Sequence, residues 1–420
     1  MPTLQKAALL PAPVVVTLVV LSGATALKIG DIQGIELLQL LWFCAALPCF
    51  AYRGLKVPCS GLWRSYGGWY LAFLGCCLGV SLLALRLPFY PPSGASALKR
   101  PVILSISRLC ELFTAMYFMI AVARELRLRP RLLRLALDAH CWAGTLSACL
   151  SIGAWVLLKT ARISTFAVYG YDDRVRGFFN EGGPYGIFLT SVALATLLRL
   201  CLFRPKRRFP YRAAIGVQFA GLFLSGSKAG FLAAVLLCGA GVVASGSRRR
   251  RMALAAAAVV VLVSAAGLFQ GKLYGYVYSY MNFDEAVQSR PGDENLVMGR
   301  IAGALITPRM IAAHPLTGIG LGNYSLMRND PDYLQGMPSV EEWDLPGMGI
   351  FGTAAELGVP LTLMFLALLL RPLFLARRNR GPAIVVMAAG FQPVAYLVGV
   401  NLNFFYPWLI AAFAIAVVET

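Results

Sequence analysis

Apolar residues in this chain run in unbroken blocks about as long as a bilayer is thick, and that leaves few folds open to it. The blocks fall at about 7–26, 35–51, 67–85, 101–123, 138–158, 183–203, 211–224, 228–245, 252–269, 350–370, 382–400 and 404–418. Roughly twenty residues of helix cross a ~30 Å hydrocarbon layer. A barrel strand would alternate apolar and polar residues over about ten positions, which continuous blocks do not. With 58% of the 420 residues apolar and 14% charged, the excess has no home in one soluble core. The expected fold is all-α and polytopic, with about 12 transmembrane helices. Residues 1–269 would carry the first nine, 270–349 would form one large outer loop with short helices, and 350–420 would carry the last three. The shortest block is 211–224, and only Asn401–Asn403 separate the last two.

The formal charge is +19, which in a soluble chain would raise the question of nucleic acid. Here its placement explains it. With the N-terminus taken as cytoplasmic, Lys6 and the segments 52–66, 124–137, 199–212, 246–251 and 371–380 hold 23 of the 38 Lys and Arg, against 14 in the opposite loops. The positive-inside rule therefore puts both termini in the cytoplasm and 270–349 on the outer side, with membrane lipids rather than nucleic acid as partners. Lys6, the apolar run behind it and Ala24-Thr25-Ala26 also read as a cleavable signal peptide; cleavage would leave the later spans oriented as before. The ten Cys all fall in spans or on the cytoplasmic side, with neither a disulfide framework nor a zinc spacing. No solenoid repeat or transporter-like symmetry of halves is visible.

Candidate chemistry concentrates in the outer loop, since loops this long usually carry function. Of the two His, His140 sits at the cytoplasmic end of the fifth block and reads as a core or interfacial residue. His314 opens the run His314-Pro-Leu-Thr-Gly318-Ile-Gly320-Leu-Gly322-Asn323-Tyr324. A neutral imidazole accepts a hydroxyl proton near pH 7, the task of a general base. Pro315 disfavours helix at His314, so a helix arriving through 301–313 should end there and present the ring at its tip. The alternating Gly residues read either as a plain turn or as an N–H cradle for an anion. Arg174, Arg176, Lys228, Arg300 and Arg309 lie on the outer side, where the charge rule gives no reason for cations, and Arg forks match phosphate oxygens. Fourteen helical residues separate Arg300 from His314 by roughly 21 Å, so they cannot share one phosphate unless the helix breaks, for which Pro308 is the candidate.

Arg108 and Glu111 are three residues apart inside the fourth block, positioned either to pair with each other or to meet a lipid phosphate. Tyr274, Tyr276, Tyr278 and Tyr280 alternate just beyond the ninth block and suit a membrane interface or a sugar. Asp330, Asp332, Glu341, Glu342 and Asp344 form an acidic cluster that matches no EF-hand and reads as a solvated loop.

The His314 run, with Met-Gly-Arg300 fourteen positions before its His, resembles the signature of the bacterial O-antigen ligase superfamily, which also contains O-antigen polymerases and protein O-oligosaccharyltransferases. Two further pieces resemble it in the same order: Arg176-Gly-Phe-Phe-Asn180-Glu181-Gly-Gly-Pro before the sixth block and Ser225-Gly-Ser-Lys228-Ala-Gly before the eighth. By motif the likeness covers about 175–325. It implies a membrane glycosyltransferase of the GT-C type in the bacterial inner membrane, without cofactor or metal, whose active site faces the periplasm. Such an enzyme moves a glycan from undecaprenyl pyrophosphate to a lipid A-core oligosaccharide. On that resemblance His314 is the catalytic base, with Arg300 and Lys228 holding the donor pyrophosphate; Arg176, as one of the outer cations, and Arg108, from its depth in the fourth block, are further donor pyrophosphate candidates. Asn180, Glu181, Tyr274, Tyr276 and Tyr324 are glycan or acceptor contacts. The family usually has Arg at the Lys228 position, and Lys keeps the charge while losing the bidentate fork.

Chemistry agrees with this reading: a polyprenyl pyrophosphate is already a good leaving group, so a positioned base and fixed positive charge suffice, and no Walker motif is present. One large outer loop favours ligase over polymerase, which tends to have two. The missing extra outer domain disfavours a protein O-oligosaccharyltransferase. The competing class is a transporter or flippase of an anionic lipid or sugar, which leaves His314 on a long outer loop unexplained.

Overall fold

Where no water reaches, an apolar chain must satisfy its own backbone N–H and C=O groups, and helices do so within one segment. A computed structural model of the chain describes residues 10–23, 28–29, 32–33, 42, 66–92, 100–169, 173–290, 296, 300–340, 349–400 and 404–418. The expected second block except Trp42, Lys6, Asn401–Asn403, Glu341, Glu342 and Asp344 lie outside these residues, as do the side chains of Arg300 and Tyr276.

In chain order the helices are α1 (Ala12–Leu21), α2 (Gly68–Ala84), α3 (Pro101–Leu128), α4 (Pro130–Ala161), α5 (Gly182–Phe203), α6 (Phe209–Ser225), α7 (Lys228–Ala244) and α8 (Arg248–Met281). They continue with α9 (Phe283–Ser289), α10 (Arg300–Ala313), α11 (Tyr324–Met327), α12 (Pro331–Leu334), α13 (Gly349–Arg378), α14 (Ala383–Leu397) and α15 (Phe405–Val418). Apart from the second, each expected block coincides with a helix. Among the described residues five helices, α3, α4, α5, α13 and the Arg248–Phe269 part of α8, are long and apolar enough to cross a membrane. That is fewer than the twelve spans expected; α1, α2, α7, α10, α14 and α15 are apolar but shorter.

Two details depart from the expectation. Two antiparallel hairpins interrupt the all-helical pattern: β1 (Lys28–Ile29) with β2 (Ile32–Gln33), and β3 (Val168–Tyr169) with β4 (Arg174–Val175), the latter in register Val168 to Val175 and Tyr169 to Arg174. And α8 does not stop near 269 but runs on to Met281, because no proline interrupts 248–281. Its tyrosines therefore obey a helical period, and Tyr274 stacks on Tyr278, four residues on, at 6.4 Å.

The chain forms two units interleaved in sequence. The first comprises residues 1–67, 114–268 and 369–420. At its centre α5 packs against α4, α6, α7 and α14. Of its most apolar eighteen residues 61% are buried, against 6% in α8, so α8 turns its hydrocarbon outward as a lipid-facing helix must. Helices α5 and α7 meet at glycines: a Cβ on Gly186 would stand 2.2 Å from the Cβ of Ser227, and one on Gly230 would stand 2.8 Å from the backbone of Gly186. His140, 1% exposed, is a core residue of this unit, its Nε2 3.2 Å from Ser191 Oγ and its ring edge-on to Phe188.

Basic segments of the first unit gather at one end. Arg371 lies over the Tyr66 ring at 4.8 Å, Asn379 Nδ2 donates to the Val418 carbonyl at 3.2 Å, and Arg134 lies over Phe203 at 5.2 Å. At the other end of α4 and α5 stand the β3–β4 hairpin, with its Lys159–Asp173 ion pair, and the α6–α7 turn.

The second unit comprises residues 68–113 and 269–368. Its core is one face of α10, Ala302, Ile306 and Met310 at successive four-residue steps, packed with Ile319, Tyr324 and Tyr333.

Candidate functional site

The second unit holds His314. Helix α10 ends where Pro315 requires, with the His314 N–H bonded to the Met310 carbonyl at 3.0 Å. Pro308 lies inside α10 without ending it, so the break that would let Arg300 and His314 share a phosphate does not occur. The two residues stand at opposite ends of one helix, roughly 21 Å apart along its axis. The His314 ring is partly exposed and edge-on to Tyr333, with centroids 6.5 Å apart.

Tyr333 is itself firmly held. Arg309 donates to the Tyr333 and Leu334 carbonyls at 2.7 and 2.9 Å, closing the end of α12, so Arg309 serves the loop's own structure. Asp330, 6% exposed, caps the start of α12 by accepting from Asp332 N at 3.0 Å, which makes it a buried cap rather than part of a solvated loop. Burial, with Asp330 and Asp332 close by, pushes the Tyr333 phenol up to about 12, so it stays protonated beside the imidazole.

The glycine run after His314 is a turn whose N–H groups are all accounted for. Gly318 N donates to His314 O, Ile319 N to Ala355 O and Gly320 N to Glu356 O, each at 2.9 Å, and Leu321 N donates to Ser81 Oγ at 3.1 Å. Gly322 N and Tyr324 N both donate to the Glu356 carboxylate, the latter at 3.3 Å. The run does cradle an acceptor, but that acceptor is the chain's own Glu356 side chain rather than a ligand.

Sequence dictates why α13 can accept these bonds. Gly358 is non-helical, at φ 76° and ψ 165°. Pro360 has no N–H for the Glu356 carbonyl four residues back. Val359 N turns instead to Pro315 O at 2.8 Å, leaving Ala355 O and Glu356 O to Ile319 and Gly320. The contact is close enough to demand glycine on both sides. A Cβ on Gly318 would sit 2.3 Å from Glu356 O, and one on Gly358 would sit 2.5 Å from Leu316 O.

Arg108 borders the same turn. A Cβ on Gly322 would meet its Cγ at 2.8 Å, Ser105 Oγ donates to Leu321 O at 2.8 Å, and the guanidinium interacts with Glu356 while pairing with Glu111 at 2.7 Å. Its side chain remains 47% exposed, so the ion pair with Glu111 leaves it open to solvent or ligand. Tyr324, by contrast, is 3% exposed in the core with its hydroxyl 3.4 Å from Thr307. That corrects the expectation of a sugar contact there, because a buried ring has no free face to stack on. Tyr274 is 74% exposed and keeps such a face.

The first unit holds the other cations. Arg174 Nε donates to Ser225 O at 2.8 Å and lies against Gly226, which takes the left-handed conformation at φ 56°. Ser227 caps α7, accepting from Gly230 N at 3.0 Å and donating to Gly183 O at 2.7 Å, so the start of α7 is tied to the start of α5. Lys228 is the first residue of α7 and is partly exposed. Arg176 is held by Phe166 O at 2.7 Å and Asn180 O at 3.2 Å, while Asn180 and Glu181 are exposed just before α5. Two helix N-termini and three cations thus share one end of this unit, an arrangement that favours an anion.

One participant, Glu356, is absent from the candidates read in the sequence, and another, Arg174, is among them without its bracing role. Glu356 carried a signal, an ionisable residue inside an apolar block followed by Gly358 and Pro360, which marks a broken helix in a membrane as a site. Arg174 was grouped with the outer cations, but nothing local distinguished the one that braces the 225–228 turn.

No curated protein matches this chain. Residues 213–366 match a family model described as O-Antigen ligase. The match takes in Lys228, Arg300, the His314 turn and the α13 break at Glu356–Gly358, while leaving Arg108 and Arg176 outside. It is displaced toward the C-terminus from the 175–325 stretch on which the resemblance rested. That match supports the O-antigen ligase superfamily for the segment 213–366, which is a little over a third of the chain.

Proposed function

We propose that this protein is a multi-pass inner-membrane glycosyltransferase of the ligase kind. It moves a glycan from undecaprenyl pyrophosphate to a sugar of lipid A-core at the periplasmic face, with both termini in the cytoplasm. The observation that carries the proposal is the setting of His314: an imidazole at the tip of a helix, partly exposed, on a turn bonded to two other helical segments of its unit. A general base must be both rigidly placed and reachable by the acceptor hydroxyl, and this setting provides both.

In the proposed reaction His314 takes the proton from the acceptor hydroxyl as its oxygen bonds to the anomeric carbon. The bond from that carbon to the pyrophosphate oxygen breaks, and the electron pair leaves with undecaprenyl pyrophosphate. Fixed positive charge stabilises that leaving group, which is the role of Lys228 and Arg176 with the helix N-termini beside them. Because α10 is unbroken, Arg300 acts on a part of the donor remote from the atoms His314 touches. Arg108, next to the His314 turn yet half exposed, contacts the donor from that side. Asn180, Glu181 and Tyr274 are exposed and contact glycan. The gathering of basic segments at one end of the first unit supports the assigned topology.

The test is complementation. Wild type and His314→Ala are expressed in a Gram-negative strain lacking its own ligase, protein levels are matched, and the lipopolysaccharide ladder is compared on a gel. Wild type restores the ladder, and His314→Ala lowers it by about 10²–10⁴-fold, the usual contribution of a positioned base. A ladder of full intensity from the variant would remove His314 from the mechanism. Chain elongation without transfer to core would turn the assignment to polymerase.

A further inference from the structure

At the basic end of the first unit an apolar groove of about 290 Å³ opens between three segments far apart in sequence. Leu126 and Leu133 at the α3–α4 junction, Leu202 and Phe203 at the end of α5, and Ala416 and Val417 at the end of α15 line it, and Arg127 stands in the same wall. Phe203 connects the groove to further charge, since the Arg134 guanidinium lies 5.2 Å from its ring centroid and that of Arg199 5.9 Å.

Among the described residues the charge at this end is largely positive. Glu125 is engaged by Arg129 at 2.6 Å and Arg124 at 3.3 Å, and Asp138 by Arg199 and the Tyr211 hydroxyl, both at 2.8 Å. Beyond them, no Asp or Glu occurs from residue 182 to 283, a stretch that holds the exposed Arg204, Lys206, Arg207 and Arg208 and the run Arg248–Arg251. The second run comes to the same place, because Arg250 interacts with Cys201 near the end of α5.

An apolar slot beside guanidinium groups, at the end of membrane-spanning helices, matches one kind of molecule in both its parts. We propose that the groove binds an acyl chain of an anionic phospholipid whose phosphate is held by Arg127 and Arg134. Neither half suffices alone: a free phosphate gains nothing from Leu202 or Val417, and a zwitterionic lipid gains little from surplus positive charge. At 290 Å³ the groove lies at the lower limit of ligand pockets, about 300–1,000 Å³, which suits a single chain. This site is independent of the glycosyl-transfer reading.

The experiment is native mass spectrometry of the full chain released from bilayers of equal phosphatidylglycerol and phosphatidylcholine with identical acyl chains. Wild type should retain phosphatidylglycerol over phosphatidylcholine by at least fivefold. The pair Arg127→Gln with Arg134→Gln should lower that retention by about twentyfold, from about fivefold for each basic residue. Val417→Trp, filling the groove, should lower it comparably with every arginine in place. If Val417→Trp is not monodisperse, phosphatidylglycerol carrying a diazirine on its chain replaces it, and the crosslinks should map to 126–133, 202–203 and 416–417. Equal retention of the two lipids by wild type would overturn the proposal, as would retention unchanged by the arginine pair. Loss with the arginines but not with the filled groove, or crosslinks elsewhere, would reduce it to surface charge and overturn the site.

Discussion

Two glycine turns precede or follow the key helices of this protein, and they hold themselves together by opposite means. In the first unit the 225–228 turn is braced by an arginine and a hydroxyl: Arg174 Nε donates to Ser225 O, and Ser227 caps the helix it begins while bonding Gly183 O. In the second unit the 314–324 turn depends on a partner more than thirty residues on, since its N–H groups end on the Ala355 and Glu356 carbonyls and the Glu356 carboxylate. The first places a cation, Lys228, at the start of a helix at one end of its unit. The second has its acceptor built in, the Glu356 side chain, and what it presents outward is His314. A turn braced by an arginine beside a helix start suits a binding cradle, while one closed by a distant Glu356 side chain serves as a mount.

The sharpest test exchanges one glycine in each turn for alanine. In Gly318→Ala the added Cβ would lie 2.3 Å from backbone that cannot move aside, at φ 62°, whereas in Gly226→Ala it would lie 3.0 Å from the Nε of a flexible arginine at φ 56°. Gly318→Ala should cost about 3 kcal/mol or more, combining left-handed strain with overpacking, and abolish transfer. Gly226→Ala should cost about 1–2 kcal/mol, the left-handed term alone. Thermal unfolding of both variants in detergent measures the gap; equal shifts would mean that the two turns are braced alike.

Next in size is Glu356→Gln. The amide can accept from one of the two N–H groups at Gly322 and Tyr324, but its NH₂ meets the other as a second donor. Leaving one buried N–H group without an acceptor costs about 1–3 kcal/mol. Hydrogen exchange in a peptide spanning 315–324 should therefore quicken by tenfold or more, while 222–230 exchanges as before. If 315–324 is as protected as in wild type, the carboxylate does not hold the turn.

Legibility in the sequence divides along the same line. Helices, their order and the stop at His314 are legible because each depends on near neighbours: apolar blocks and Pro315. The unbroken α10 shows the limit of that reasoning, since Pro308 marks a possible break and only packing of Ala302, Ile306 and Met310 against the core decides that the helix continues. The bonds from the His314 turn to Glu356 were not readable. Nothing near residue 320 says that its N–H groups are already taken, and nothing near residue 356 says that its freed carbonyls meet a turn. Tyr324 failed for the same reason, as an aromatic beside a motif looks available until its burial is known.

Smaller effects should separate cap from cation in the first turn. Ser227→Ala removes the cap of α7 and the bond to Gly183 together, at about 1–2 kcal/mol, and should appear as a lowered midpoint of unfolding with donor affinity reduced in parallel. An unchanged midpoint would show that the α5–α7 glycine contact alone fixes the turn.

Lys228 should behave in the reverse sense. It places a positive charge on the first residue of α7, at the positive end of the helix dipole, which is unfavourable by about 0.3–1 kcal/mol at an exposed terminus. Lys228→Gln should therefore leave the protein as stable as wild type or slightly more so, while raising KM for the lipid-linked donor. Lys228→Arg should preserve activity or improve it, since the fork offers a phosphate two parallel bonds where the ammonium offers a point charge. A residue kept against its own helix is best explained by what it binds. If Lys228→Gln instead destabilises the protein and leaves KM unaltered, Lys228 holds structure, and the anion at this end must be held by Arg176 and the helix termini without it.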